Sequence, residues 1–199
     1  MTTTTERALA PEPSVRLERA PFDPVTIAVH WATVLLVLAM FALGWSIHRA
    51  QDGQTALAIV TVHRSLGLAL WTLTVLRLGW RLTWAKFPPF PQAMPKVQQL
   101  AAKASEYGLY LMLLAQPATG MAQSVYRGKA FPLIFGLQVP VLVARDKAMV
   151  VVFHEVHEQG TWVFAGLIGL HACAGLFHAL VLRDGVFQSM APIRRRPRA

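Results

Sequence analysis

The feature that most constrains this chain is the way its apolar residues are grouped. They do not recur at helix or strand period. They run in long blocks over residues 25–47, 56–80, 104–125 and 149–182, each long enough to cross the roughly 30 Å hydrocarbon core of a bilayer as a helix. Only 15% of the 199 residues are charged, against about a quarter in a soluble domain. The blocks predict an all-α membrane protein, a bundle of four transmembrane helices. Asp23-Pro24 is a helix start for the first block. The third block is interrupted by Gln116-Pro117, which a membrane helix tolerates where neighbours satisfy the freed carbonyl. The fourth is long for one bilayer, so its first turns are expected to project beyond the hydrocarbon. Residues 131–143 are apolar but too short to span and contain Pro132, Gly136 and Pro140, which suits a loop at the interface.

The net charge of +9 fits membrane topology better than nucleic acid, because no nucleic-acid-reading motif accompanies it. With the N-terminus inside, the Lys and Arg residues divide 13 inside to 6 outside, which puts both termini in the cytoplasm. Residues 1–20 are polar, rich in Thr and Pro, and lack the pattern of a signal peptide; they are expected to form a disordered tail. Residues 21–192 form the membrane domain, and 193–199 a basic tail. The lone Cys173 forms no intrachain disulfide.

Seven histidines in so apolar a chain call for a chemical reason, since ionisable groups in a membrane are expensive and tend to be functional. His48 falls at the end of the first block and reads as an interfacial residue. In the fourth block His157, His171 and His178 are 14 and 7 residues apart, which keeps all three on one helical stripe. His154 lies about 100° off that stripe. A rise of about 1.5 Å per residue separates His157 from His171 by roughly 21 Å in depth, room for two sites. His30 enters the first span from inside, at the depth of His171; His63 enters the second from outside, at the depth of His157. The four sort into an inner pair and an outer pair, the arrangement that clamps six-coordinate haem iron between facing helices.

Gly44 and Gly67 lie on the histidine sides of their helices and leave volume for a macrocycle. Arg77, 14 residues after His63, faces the inner pair, where it suits haem propionates or an anionic quinone. Zinc or copper is the chemical competitor, but a zinc site wants three or four close ligands.

Several segments together resemble the bacterial cytochrome b561 family. They are FDPVTIAVHW around His30, VHRSLGLALWTLTVLRLGWRL around His63, GLYLMLLAQPATG in the third span, YRGK and FGLQVP in the outer loop, and FHEVHEQGTWVFAGLIGLHACAGLFHAL in the fourth span. The resemblance implies a multi-pass protein of the bacterial inner membrane with two b-type haems, axial ligands His30, His63, His157 and His171, and quinone chemistry at the inner haem with His178 nearby. It further implies superoxide, or another periplasmic one-electron donor, as the source of electrons. Two other functions stay open at this point: a haem relay subunit serving a separate dehydrogenase or hydrogenase, and a metal-ion permease built on histidine pairs.

Overall fold

The computed structural model describes residues 20–192. The expected N-terminal tail, apart from its last residue, and the expected basic C-terminal tail lie outside the described residues. Four long helices dominate: α1 (Pro24–Ile47), α2 (Gly53–Thr83), α3 (Lys96–Val125) and α4 (Lys147–Phe177), the last continued by a wider π turn over His178–Leu182. Between α3 and α4 lies a small antiparallel hairpin of β1 (Phe131–Pro132) and β2 (Gln138–Val139), where the sequence suggested only a loop.

Helix starts follow local chemistry. The Asp23 carboxylate accepts the Thr26 N–H, with Pro24 in the first turn; Asp52 accepts from Gln54 and Thr55, and Asp146 from Met149. At 24 residues α1 is about 36 Å long, enough to cross the hydrocarbon with little to spare. Three helices are both long and apolar enough to cross: α1, α2 and α4 with its extension, at mean hydropathy 2.2, 1.4 and 1.8. The fourth, α3, has 30 residues and is more polar, and it packs between α2 and α4. Helix α1 in turn lies along α2.

The interior is thin. A single buried residue from each helix meets at mid-height: Val37, Leu70, Leu113 and Phe164. Met40, Phe41, Leu109, Met112 and Ile168 pack around them. Large apolar side chains such as Leu35, Leu76, Leu111 and Trp162 point outward, as expected where the solvent is lipid. Several hydroxyls within the helices turn back onto the carbonyl four residues earlier (Thr33 to Val29, Ser65 to Thr61, Thr74 to Leu70), which satisfies them in an apolar medium.

Both ends of the bundle are covered by chain. Here "inner" denotes the end where the described chain begins and finishes. At the outer end the hairpin is held by the Ile134 N–H on Ser65 Oγ at 2.9 Å and by the Arg64 guanidinium 4.9 Å from the Phe131 ring centre. Arg64 Nε also donates to Ser124 Oγ, tying α2 to α3. At the inner end residues 183–192 fold back from α4 to α1, where Ser189 O accepts from Phe22 N and Met190 O from Trp31 Nε1.

Candidate functional site: two histidine layers

The four mid-height residues are the reference from which the site is built. Seven residues on either side of each, two helical turns, the bundle presents one residue per helix. Toward the outer end these are Gly44, His63, Gly120 and His157. Toward the inner end they are His30, Arg77, Glu106 and His171. Each layer thus holds two histidines, about 10 Å from the centre along the helix axes.

The histidines meet in the pairs expected from depth. The ring centres of His63 and His157 are 6.3 Å apart, with planes at 83°; those of His30 and His171 are also 6.3 Å apart, at 60°. An imidazole nitrogen sits about 2 Å from a first-row metal and its ring centre about 1 Å farther back, so two rings on opposite sides of one ion have centres about 6 Å apart. Both pairs therefore have the spacing of two axial ligands. Among the described residues no group of three or more His, Cys, Asp or Glu comes together, so imidazoles are offered two at a time. That is too few for structural zinc, and it is the number an iron held by a macrocycle takes from its protein.

The outer pair rests on α3. His157 Nδ1 is 3.0 Å from the Gln116 carbonyl, in the turn that Pro117 distorts. An N–H donated there leaves Nε2 for a metal, the usual way a second group fixes a ligand's tautomer. Thr119 Oγ lies 3.2 Å from the same ring nitrogen. Gly120 lets the ring lie against the α3 backbone, since a Cβ there would be 3.0 Å from His157 Cε1. Gln116 itself packs over Gly160, where a Cβ would meet its amide nitrogen at 2.0 Å. Nδ1 of His63 is buried without a hydrogen-bond partner among the described residues, a polar atom no protein group satisfies.

The inner pair has charged neighbours. Arg77 Nη2 lies 3.3 Å from His30 Nδ1 with the guanidinium over the Tyr110 ring. Arg81 pairs with Glu106 of the inner layer. One heptad past His171, His178 binds Asp184 at 2.6 Å.

The remaining sequence candidates are placed as follows. Gly44 borders the outer pair, its Cβ direction 3.8 Å from His63 Cε1. Gly67 is buried, and the Cβ direction there meets Met40 of α1 at 3.4 Å. His154 is exposed and pairs with Glu158 at 3.3 Å, away from both layers. Sequence reasoning missed Gln116, Thr119, Gly120, Glu106 and Asp184. A heptad count from Leu113 finds Gly120 and Glu106, but only once Leu113 is known to be the core residue of α3.

Comparison with known proteins gives the family of the chain. The chain is 29% identical over 180 residues to "Cytochrome b561 homolog 1" of Escherichia coli (strain K12), covering 87% of this chain and 98% of that protein. It is 28% identical over 170 residues to "Cytochrome b561 homolog 2" of the same strain, covering 85% and 90%. It is 27% identical over 177 residues to "Probable superoxide oxidase CybB" of Yersinia pestis, covering 87% and 97%. The sequence profile of the prokaryotic cytochrome b561 family matches residues 21–192, the whole described bundle but for its first residue. This chain belongs to that family, inner-membrane proteins that move electrons with b-type haem.

Proposed function

We propose that the chain binds two haems b, the outer held by His63 and His157 and the inner by His30 and His171, and passes electrons from a donor at the periplasmic face to quinone at the cytoplasmic face. The observation that carries this reading is the equal 6.3 Å spacing of two histidine pairs one heptad above and below the centre of the bundle. Each haem supplies a one-electron redox change at its iron.

The residues around the pairs fit that task. The Gln116 carbonyl orients His157, and Gly44 and Gly120 keep side-chain volume away from the outer rings. Arg77 is the informative neighbour of the inner pair. A guanidinium only donates, so in its present contact His30 Nδ1 accepts. A haem held at Nε2 would leave the hydrogen on Nδ1, which would free the Arg77 guanidinium to pair with an anion such as a haem propionate or a quinone oxygen.

Superoxide is the donor suggested by the name of the Yersinia relative. Arg127, Lys129 and Arg145 in the outer loop and Lys147 at the start of α4 are exposed and steer an anion to that face. The balance is simple: two superoxide anions give one electron each and leave as dioxygen, and one quinone takes two electrons and two protons and leaves as quinol. His178, at the inner end of the histidine stripe, is the acid beside the quinone.

A dithionite-reduced-minus-oxidised spectrum with a haem count tests the reading. Two low-spin b haems per chain are expected. His63→Ala and His157→Ala should deplete one, and His30→Ala and His171→Ala the other. A colourless protein, or equal loss of both haems in every variant, refutes the assignment.

A further inference from the structure

We propose that Asp184 is the positioning residue for proton delivery at the inner end, holding His178 by Nδ1 so that Nε2 hands protons to the bound quinone; this rests on the quinone reading above.

The backbone is bent to make this contact. Regular α4 ends at Phe177, the next five residues wind as a π turn, and Arg183 enters the left-handed region at φ 51° and ψ 39°. A non-glycine residue there is strained and persists only where its surroundings enforce it. Arg183 N donates to the His178 carbonyl at 2.8 Å, reversing the chain so that the next residue faces its own helix. Asp184 Oδ2 then lies 2.6 Å from His178 Nδ1, and Oδ1 accepts the Val186 N–H at 3.1 Å. Both carboxylate oxygens are engaged, so the group has one orientation. The two side chains are 14% and 22% exposed, shielded enough for the ion pair to matter and open enough to exchange protons.

The segment that follows ties this dyad to the inner histidine layer. Phe187 packs against Gly175, where a Cβ would be 3.6 Å from its ring. The Ser189 carbonyl takes the backbone N–H of Phe22, just before α1, and the Met190 carbonyl takes the Trp31 Nε1–H of α1, whose ring sits edge-on to His30. His178 lies on the stripe of His157 and His171, one heptad and roughly 10 Å beyond the inner pair. A ring held at Nδ1 by a carboxylate presents Nε2 away from it.

The step balances as follows. For each electron reaching the quinone, the His178 Nε2–H bond breaks and an O–H bond forms on a quinone oxygen. The ring is left neutral with Nδ1–H still on Asp184. Water at the inner face restores the Nε2 proton, and a second round completes quinol.

The test uses full-length protein with its haems, reduced with dithionite and mixed in stopped flow with either a short-chain ubiquinone or ferricyanide, which takes an electron without a proton. Asp184→Asn keeps the shape and removes the charge; Asp184→Ala removes both; His178→Gln removes the acid. All three are expected to keep haem content, spectrum and ferricyanide rate. Ubiquinone reoxidation should fall about 100-fold in His178→Gln, the lower range for a general acid, and at least about 10-fold in Asp184→Asn. Nitrogen NMR of labelled histidine should show the His178 Nδ1–H tautomer fixed in the parent and lost in Asp184→Ala. Parent rates with ubiquinone in both Asp184 variants overturn the proposal and leave the quinone reading standing. Equal slowing with ferricyanide, or loss of haem in Asp184→Asn, also overturns it, by assigning Asp184 a structural role. A reduced parent protein that ubiquinone does not reoxidise refutes the quinone reading and this proposal with it.

Discussion

Replacing Gly120 probes the outer site from a helix that carries none of the four paired histidines. A Cβ at this position lies 3.0 Å from His157 Cε1, 3.3 Å from Nδ1 and 3.6 Å from Nε2, whereas ordinary contact begins near 3.4 Å. In Gly120→Ala the ring must therefore withdraw by about 0.4 Å, stretching the 3.0 Å contact of Nδ1 with the Gln116 carbonyl toward the limit of a hydrogen bond. In Gly120→Val two further methyl groups occupy the ring's place, an overpacking worth about 1–3 kcal/mol. At about 1.4 kcal/mol per tenfold, haem affinity at the outer site falls roughly 5- to 150-fold. The inner pair, about 21 Å away, is unaffected. The assay is a redox titration of the purified protein followed in the reduced-minus-oxidised spectrum, with Gly166→Ala as control because a Cβ there meets nothing within 4 Å. The alanine variant should shift the outer potential, the valine variant should lose most of the outer haem, and the control should match the parent. A full complement of both haems with unchanged potentials in Gly120→Val refutes the outer-site geometry.

Further outcomes are expected elsewhere. Gly128→Ala forces a side chain into φ +66° with its Cβ 2.5 Å from the Arg145 backbone nitrogen, so the outer loop should open, read as faster protease nicking between α3 and α4 and a lower thermal midpoint; parent-like resistance contradicts this. Asp52 caps α2, and the Thr55 backbone N–H donating to its carboxylate holds its pKa below the ordinary 3.8. A lowered folded value means the cap's contribution is full above 3.8 and lost as pH falls through the folded value, so Asp52→Asn should keep the neutral-pH midpoint and flatten its acid decline. Neutralising Lys129 and Arg145 together should slow reduction by an anionic donor several-fold and weaken the ionic-strength dependence of that rate; an unchanged salt response rules out steering.

Depth was the part of the site most open to sequence reasoning. Residue number converts to height at about 1.5 Å per step, and alternating spans reverse the count, so His30 can be matched with His171 and His63 with His157 before any coordinates exist. Element ends were less legible. The third block begins at residue 104 by hydropathy, yet α3 starts at Lys96, because a helix continues through polar residues such as Lys103 once it projects past the hydrocarbon. Spacing to His63 puts Gly67 on the histidine side of α2, but helical phase alone does not name the neighbour that lies nearest it, Met40 of α1. The support from Gln116 and Gly120 left no histidine-like mark on α3. The fold-back at Asp184 depends on one left-handed residue, for which the only cue was Asp184-Gly185 as a turn signal, with Gly185 at φ +79°.

The four-residue plug of Val37, Leu70, Leu113 and Phe164 has a consequence for energy conversion. Its four side chains are apolar and buried, so they offer hydronium and small ions no polar partner at mid-bilayer, whereas electron tunnelling needs no solvent. With the inward electron path proposed above, a cytochrome built this way would separate charge instead of short-circuiting the cell, and every hydrogen nucleus consumed on one side would be drawn from that side.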